Sequence, residues 1–236
     1  MSEKNVGGVT ESERILSRFC QDSFLKLWSY PNPYKDDGKE LCDLMAVFGN
    51  HVFIFFDRHN SLPLSPDKDP LVLWNRWKSK VIDKQVVTAH GAERYIKSGR
   101  SIYLDVKKSK PFPINIDIKK AIFHKIVVAH GAKEACLNSS PDNIYGSLAI
   151  TYTRLDNKQT ESIQPFSLLL DKASPVHILD SHNQSIILGE LDTVTDFAKY
   201  LDEKTKAIQH LNILSYCGEE DLLAHYYMNY DKKEQR

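Results

Sequence analysis

Glu40, Asp43, Asp57 and Arg58 stand at the ends of two apolar runs, and their types suit hydrolytic chemistry. Glu40 and Asp43 open the run that continues Leu44-Met45-Ala46-Val47-Phe48, and Asp57 and Arg58 close the run His51-Val52-Phe53-Ile54-Phe55-Phe56. Between the runs lies Gly49-Asn50, a two-residue hairpin signal. A tight hairpin is antiparallel, so the start of the first strand lies beside the end of the second. Asp43 is therefore expected next to Phe56 and Asp57, with Glu40 near His59. Carboxylates converging at one end of a greasy ribbon can hold a hard divalent cation such as Mg²⁺ or Mn²⁺.

An acid opening a strand, a short turn, and an apolar strand ending in acid-x-Lys resemble the core of the PD-(D/E)xK nuclease superfamily, the restriction-endonuclease-like fold. The resemblance implies that two carboxylates hold the metal and that the lysine orients or activates water. Asp43 matches the first acid. Phe56 stands where the second acid belongs and Arg58 where the lysine belongs. Asp57 and Glu40 are the neighbouring carboxylates that substitute, giving Glu40, Asp43 and Asp57 as metal ligands. Arginine holds its proton too firmly to act as a base but clamps phosphate well. Gln85 resembles the glutamine that several of these families carry on the helix after the catalytic strand. Catalytic roles thus fall to Asp43, Asp57, Arg58 and Gln85. The phrases Phe24-Leu25-Lys26-Leu27-Trp28-Ser29-Tyr30-Pro31-Asn32 and Gly38-Lys39-Glu40-Leu41-Cys42-Asp43 also resemble a group of uncharacterised bacterial proteins. Those relatives run further, so this chain reads as a shortened one.

Two functions follow. One is a metal-dependent nuclease acting on nucleic-acid phosphodiesters, with a site compromised by Phe56. The other is a catalytically inactive relative that binds nucleic acid or protein. The charge pattern bears on both. The chain has 236 residues and a net charge of zero. From residue 94 to 125, however, Arg94, Lys97, Arg100, Lys107, Lys108, Lys110, Lys119, Lys120 and Lys125 face only Asp105 and Asp117. Lys107, Lys108, Lys110, Lys119 and Lys120 are the candidate contacts to DNA or RNA. Residues 190–221 are acidic in turn.

Cys20, Cys42, Cys136 and Cys217 have no zinc-ribbon spacing, and a disulfide framework is not expected in a chain of this length. The N-terminus lacks an apolar signal region, and no run is long enough to span a membrane, so the expected location is cytoplasmic. There is no Gly-rich phosphate loop, which disfavours an ATPase or a dinucleotide enzyme. His177, Asp180 and His182 alternate across a strand and need a bend to converge, so they read as strand-end polar residues. His90, His124 and His130 share no ligand spacing.

The elements that must position these groups follow from periodicity. Residues 1–10 read as a flexible N-terminus. A helix is expected over Glu11–Trp28, with Thr10 and Glu13 spelling a capping box. The hairpin comes next, then a Pro-rich loop, then a long helix over Leu71–Lys97 that carries Gln85 on its apolar stripe. Strands are expected over Ser101–Val106, Pro113–Ile118, Ile122–Ala129, Gly146–Thr153, Phe166–Leu170 and Val176–Asp180. Asp192 should cap a helix over Thr193–Lys206, and a last helix should begin at Gly218. The expected fold is α+β. Residues 11–100 form a restriction-endonuclease-like core of helix, hairpin and long helix. Residues 101–236 form a strand-rich region that completes or packs on it.

Overall fold

A computed structural model of the chain describes residues 10, 13–16, 18, 28–63, 65, 67–139, 150–153, 162, 164–191, 193–211 and 214–234. The chain is α+β with a mixed central sheet. Strands β1 (Ser29–Pro31), β3 (Leu44–Phe48), β4 (His51–His59), β6 (Ile122–His130) and β9 (His177–Asp180) lie side by side in that order. The first three are antiparallel, and β4, β6 and β9 are parallel. Gly49-Asn50 is the hairpin turn, with Gly49 at φ +57° and Phe48 opposite His51. Leu44 opposes Phe55, the register expected from the turn. A small ribbon pairs β2 (Tyr34–Lys35) with β5 (Ile102–Tyr103), and a second sheet joins β7 (Ile150–Thr153), β8 (Ser167–Leu170) and β10 (Ser215–Tyr216). The second half of the chain therefore completes the central sheet through β6 and β9.

Alternation along β4 divides the core in two. Val52, Ile54 and Phe56 face the helical segment after the hairpin, where they meet Trp74, Trp77, Val81, Ala89 and Ala92. That segment is α1 (Pro70–Lys78), one π-helical stretch Ser79–Asp83, and α2 (Lys84–Lys97). Asp69 starts it by accepting the Leu71 amide at 2.8 Å, and Pro70 fits the first turn. Lys78 reaches across the π turn to both Asp83 oxygens at 2.9 Å. Phe53 and Phe55 point the other way, into Ile187, Leu188, Phe197, Leu201 and Leu223. These come from α4 (Ser181–Glu190), α5 (Val194–His210) and α6 (Gly218–Glu234). A short helix, α3 (Lys133–Ser139), follows β6.

Three sequence expectations shift. Pro113–Ile118 forms no strand: Pro111 and Pro113 carry no amide hydrogen, and Phe112, Ile114 and Ile116 lean half-buried on the core from a coil. Ser101–Val106 keeps only Ile102–Tyr103, because the Asp105 carboxylate captures the amides of Ser109 and Lys110 and turns the chain. The cap of α5 is Thr193, whose Oγ1 accepts the Asp196 amide at 3.1 Å, and the helix runs on to His210. Asp180 caps α4 through a capping box with Asn183, so it serves as a strand-end residue. Residues 13–16 are helical, and the Thr10–Glu13 capping box is present. Most of the expected first helix, residues 1–9, Asp192 and the start of the expected Gly146–Thr153 strand lie outside the described residues.

Where β4 and β6 end, their exits stay tied. The Asn60 amide donates to the His130 carbonyl at 3.1 Å and the Leu62 amide to the Gly131 carbonyl at 2.9 Å. Gly131 has φ +105°, and a β-carbon there would lie 2.2 Å from the Asn60 carbonyl oxygen. Both backbone strain and a backbone clash oppose any side chain. Gly131→Ala should therefore lower unfolding stability by roughly 2 kcal/mol or more, read as a shifted urea midpoint at unchanged slope.

Candidate functional site

The hairpin register brings the two central aspartates together. The Asp57 amide donates to Asp43 Oδ2 at 2.5 Å, and the Asp43 amide donates to the Phe55 carbonyl at 3.1 Å. Asp57 is buried, on the face that also carries Phe53 and Phe55. The parallel register places His130 two strand positions beyond, and its Nε2 lies 2.9 Å from Asp57 Oδ2. Burial, followed by the charges of Glu40, Glu13 and Asp57, pushes the Asp43 carboxyl up to about 7, against the lowering effect of the Asp57 amide. Glu40 is exposed, yet the surrounding protein and then the Glu13 charge raise its carboxyl as well. Glu13 comes from the helical residues at the N-terminus and joins Glu40, Asp43 and Asp57 at this end of the sheet. Its contribution was not foreseen, because nothing in its spacing ties it to the hairpin.

The remaining expected site residues are distributed more widely. Arg58 is exposed and, by alternation, projects to the face opposite Asp57. Gln85 is half-buried near the start of α2. Glu93 of that helix bonds Lys125 of β6, and the helix runs back against the strand. Eight residues at about 1.5 Å each put Gln85 roughly 12 Å toward the strand end, near the level of Asp57 and Arg58. Lys107, Lys108, Lys110, Lys119 and Lys120 are all exposed on the coil between β5 and β6. Lys108 donates to the Asp36 carbonyl at 2.7 Å, and Lys120 lies 3.6 Å from Asp117. Lys119 and Lys120 sit just before β6, whose first amide bonds Asn50. That is the turn end of the hairpin, six residues or about 20 Å along β4 from Asp57.

A cleft of about 420 Å³ opens where β4 and β6 end. His59, Ser61, His130, Lys133, Glu134 and Gln184 are among its lining residues. Crevices beyond the carboxyl ends of parallel strands are common ligand sites. Among the described residues, three potential metal-ligand atoms within 4.8 Å of one another occur at His51, His124 and Asp202. Glu40, Asp43 and Asp57 are not drawn together that tightly. The histidine group lies at the opposite end of the sheet. His51 Nδ1 is 2.9 Å from His124 Nε2, and Asp202 Oδ1 of α5 is 3.8 Å from the same His124 nitrogen. Burial, with His51 and Lys125 adding, pushes His124 down to about 3. Sequence spacing missed this group because its members lie on β4, β6 and α5, which only tertiary pairing joins.

No family model, curated protein or solved structure matches this chain. No helix among the described residues is long and apolar enough to cross a membrane.

The raised Asp43 carboxyl has a pH consequence. Its folded value near 7 exceeds the ordinary 3.8, so the folded state binds this proton more tightly. The resulting stabilisation is complete below about pH 4 and is lost as pH rises to about 7. Asp43→Asn keeps an acceptor for the Asp57 amide and removes the charge. It should flatten this dependence and raise stability at about pH 8 by on the order of a few kcal/mol. Urea unfolding of both proteins across that range checks it.

Proposed function

We propose that this protein is a nuclease-like phosphodiester hydrolase whose divalent cation is bound at the Asp43 end of the sheet. The observation that carries the reading is the placing of Glu40 and Glu13 near the bonded pair Asp43 and Asp57, with the Asp43 carboxyl raised by burial first and by these neighbouring carboxylates second. Such a cluster favours either a proton or a cation, and all-oxygen donors suit Mg²⁺ or Mn²⁺. The hairpin is followed by a helical segment and a further strand, an order that supports this reading. The chemistry such an ion supplies is polarisation of a phosphoryl oxygen and acidification of bound water.

The chain's own residues supply the rest. Asp43 and Glu40 offer carboxylate oxygens, and Asp57 orients the His130 ring beside the cleft. His130 is the group placed to move a proton there. Arg58 is exposed at the same strand end and suits a phosphate clamp. Gln85 reaches that level from α2. Lys119 and Lys120, at the other end of the sheet, fit a long polyanion better than a small substrate.

A second reading is an inactive relative that binds without cutting. Phe56 offers no oxygen, and the Asp57 side chain is 1% exposed and engaged with His130. Incubation with single- and double-stranded DNA and RNA, with Mg²⁺ or Mn²⁺, separates the two. Hydrolysis is expected to require the metal and to fall at least about 100-fold in Asp43→Ala, the scale of removing one central electrostatic group. Mn²⁺ titration calorimetry should lose its binding signal in the same variant. Metal-independent nucleic-acid binding that weakens with salt, without any cleavage, would instead establish the binding module.

A further inference from the structure

His51, His124 and Asp202 stand apart from the carboxylate cluster, at the turn end of the hairpin. Their ligand atoms lie within 4.8 Å of one another. Each comes from a different element. His51 opens β4, His124 lies on β6 opposite Phe53, and Asp202 lies midway along α5. The Phe53 ring packs against both imidazoles. It is stacked at 4.8 Å from His124 and 6.2 Å from His51, and the two imidazole planes differ by only 11°. Two ring nitrogens thus face each other in a site whose orientation is set by packing.

We propose that His51 Nδ1, His124 Nε2 and an Asp202 carboxylate oxygen bind a divalent transition metal of the Zn²⁺ class. Two imidazole nitrogens and one carboxylate suit such borderline metals and do not suit Mg²⁺. Two of the three separations are close to those required. Tetrahedral Zn²⁺ with bonds of about 2.0–2.1 Å separates its ligand atoms by roughly 3.3 Å. The nitrogens at 2.9 Å must open by about 0.4 Å, and the 3.8 Å nitrogen–oxygen pair must close by about 0.5 Å. Side-chain torsions of His51 and Asp202 absorb such shifts, since both are only partly buried. Three protein ligands, with the Asp202 side chain 31% exposed, leave a fourth position for water or a substrate atom.

His177 adds a second observation. It lies on β9, on the same sheet face, with its ring 6.4 Å from that of His124. It is buried, and its Nδ1 has no hydrogen-bond partner among the described residues. The interior beside the site therefore carries a third imidazole among its apolar neighbours. A bound ion would also tie α5 to the starts of the central strands β4 and β6.

The test uses the full chain after chelator treatment, titrated with Zn²⁺ alone and with Co²⁺ as a spectroscopic reporter. Co²⁺ should give the visible absorption of a low-coordinate nitrogen–oxygen site, and Zn²⁺ should displace it. Zn²⁺ at a hundredfold excess over its Kd should raise Tm by roughly 5 °C or more. His51→Gln and Asp202→Asn, both at partly exposed positions, should fold, yet weaken Zn²⁺ binding at least about 10-fold, as loss of one ligand implies. His210→Gln, an exposed histidine on the same helix, should bind as the wild type does. Equal binding by wild type, His51→Gln and Asp202→Asn would overturn the proposal. So would a Co²⁺ spectrum unchanged from the free ion. The outcome is independent of the Asp43 site, because Mg²⁺-dependent cleavage is not part of the readout.

Discussion

Strand β4 is hydrogen-bonded along both edges, antiparallel to β3 and parallel to β6. Side chains on a strand alternate, so a one-residue slip on either edge would exchange its two faces. The buried phenylalanines make that slip costly. Phe53 and Phe55 fill one half of the core, and Phe56 helps fill the other. The same register that satisfies these rings sets the polar ends. It places Asp57 beside Asp43, aligns His130 with the end of β4, and brings His124 beside the Phe53 ring. Both candidate sites are consequences of hydrophobic registration.

The two ends of the sheet solve opposite electrostatic problems. At the Asp43 end, burial and then the neighbouring carboxylates raise the Asp43 carboxyl. Elsewhere buried charges are matched. Lys125 meets Glu93 at 2.5 Å and Ser174 at 3.0 Å, and Lys204 meets both Glu219 oxygens at 2.6 Å. The Tyr200 hydroxyl also donates to Glu219. These pairs gain little net stability over apolar residues of equal size, but an unmatched partner in either would be expensive. The Asp43 cluster differs in that the groups whose charges act on the Asp43 carboxyl are themselves acidic.

Local chemistry was legible where one segment determines it. Gly49-Asn50 between two apolar runs sufficed for the turn, the register and the Asp43–Asp57 meeting. Thr10 with Glu13, and the apolar stripe from Trp74 to Ile96, likewise carried their own signals. What could not be read depends on partners distant in sequence. His51 and His124 become neighbours only because β6 pairs parallel to β4, and His130 reaches Asp57 for the same reason. The alternation of Pro113–Ile118 misled because a coil can also lean every second residue on a core. Arg58 lies where the nuclease resemblance expects a lysine, but alternation turns it from Asp57.

The tie at Gly131 reaches beyond stability. Main-chain bonds join the exits of β4 and β6, and Gly131 nests against the Asn60 backbone. Leu62, His130 and Gly131, which belong to this tie, line the cleft together with Ser61, Lys133 and Gln184. Main-chain bonds do not depend on the side chains around them. Ser61, Lys133 and Gln184 can therefore vary in size and charge, over evolutionary time or in a mutant library, while the strand exits that carry Asp57 and His130 stay joined. Side-chain variation around the cleft is in this way separable from maintenance of the fold.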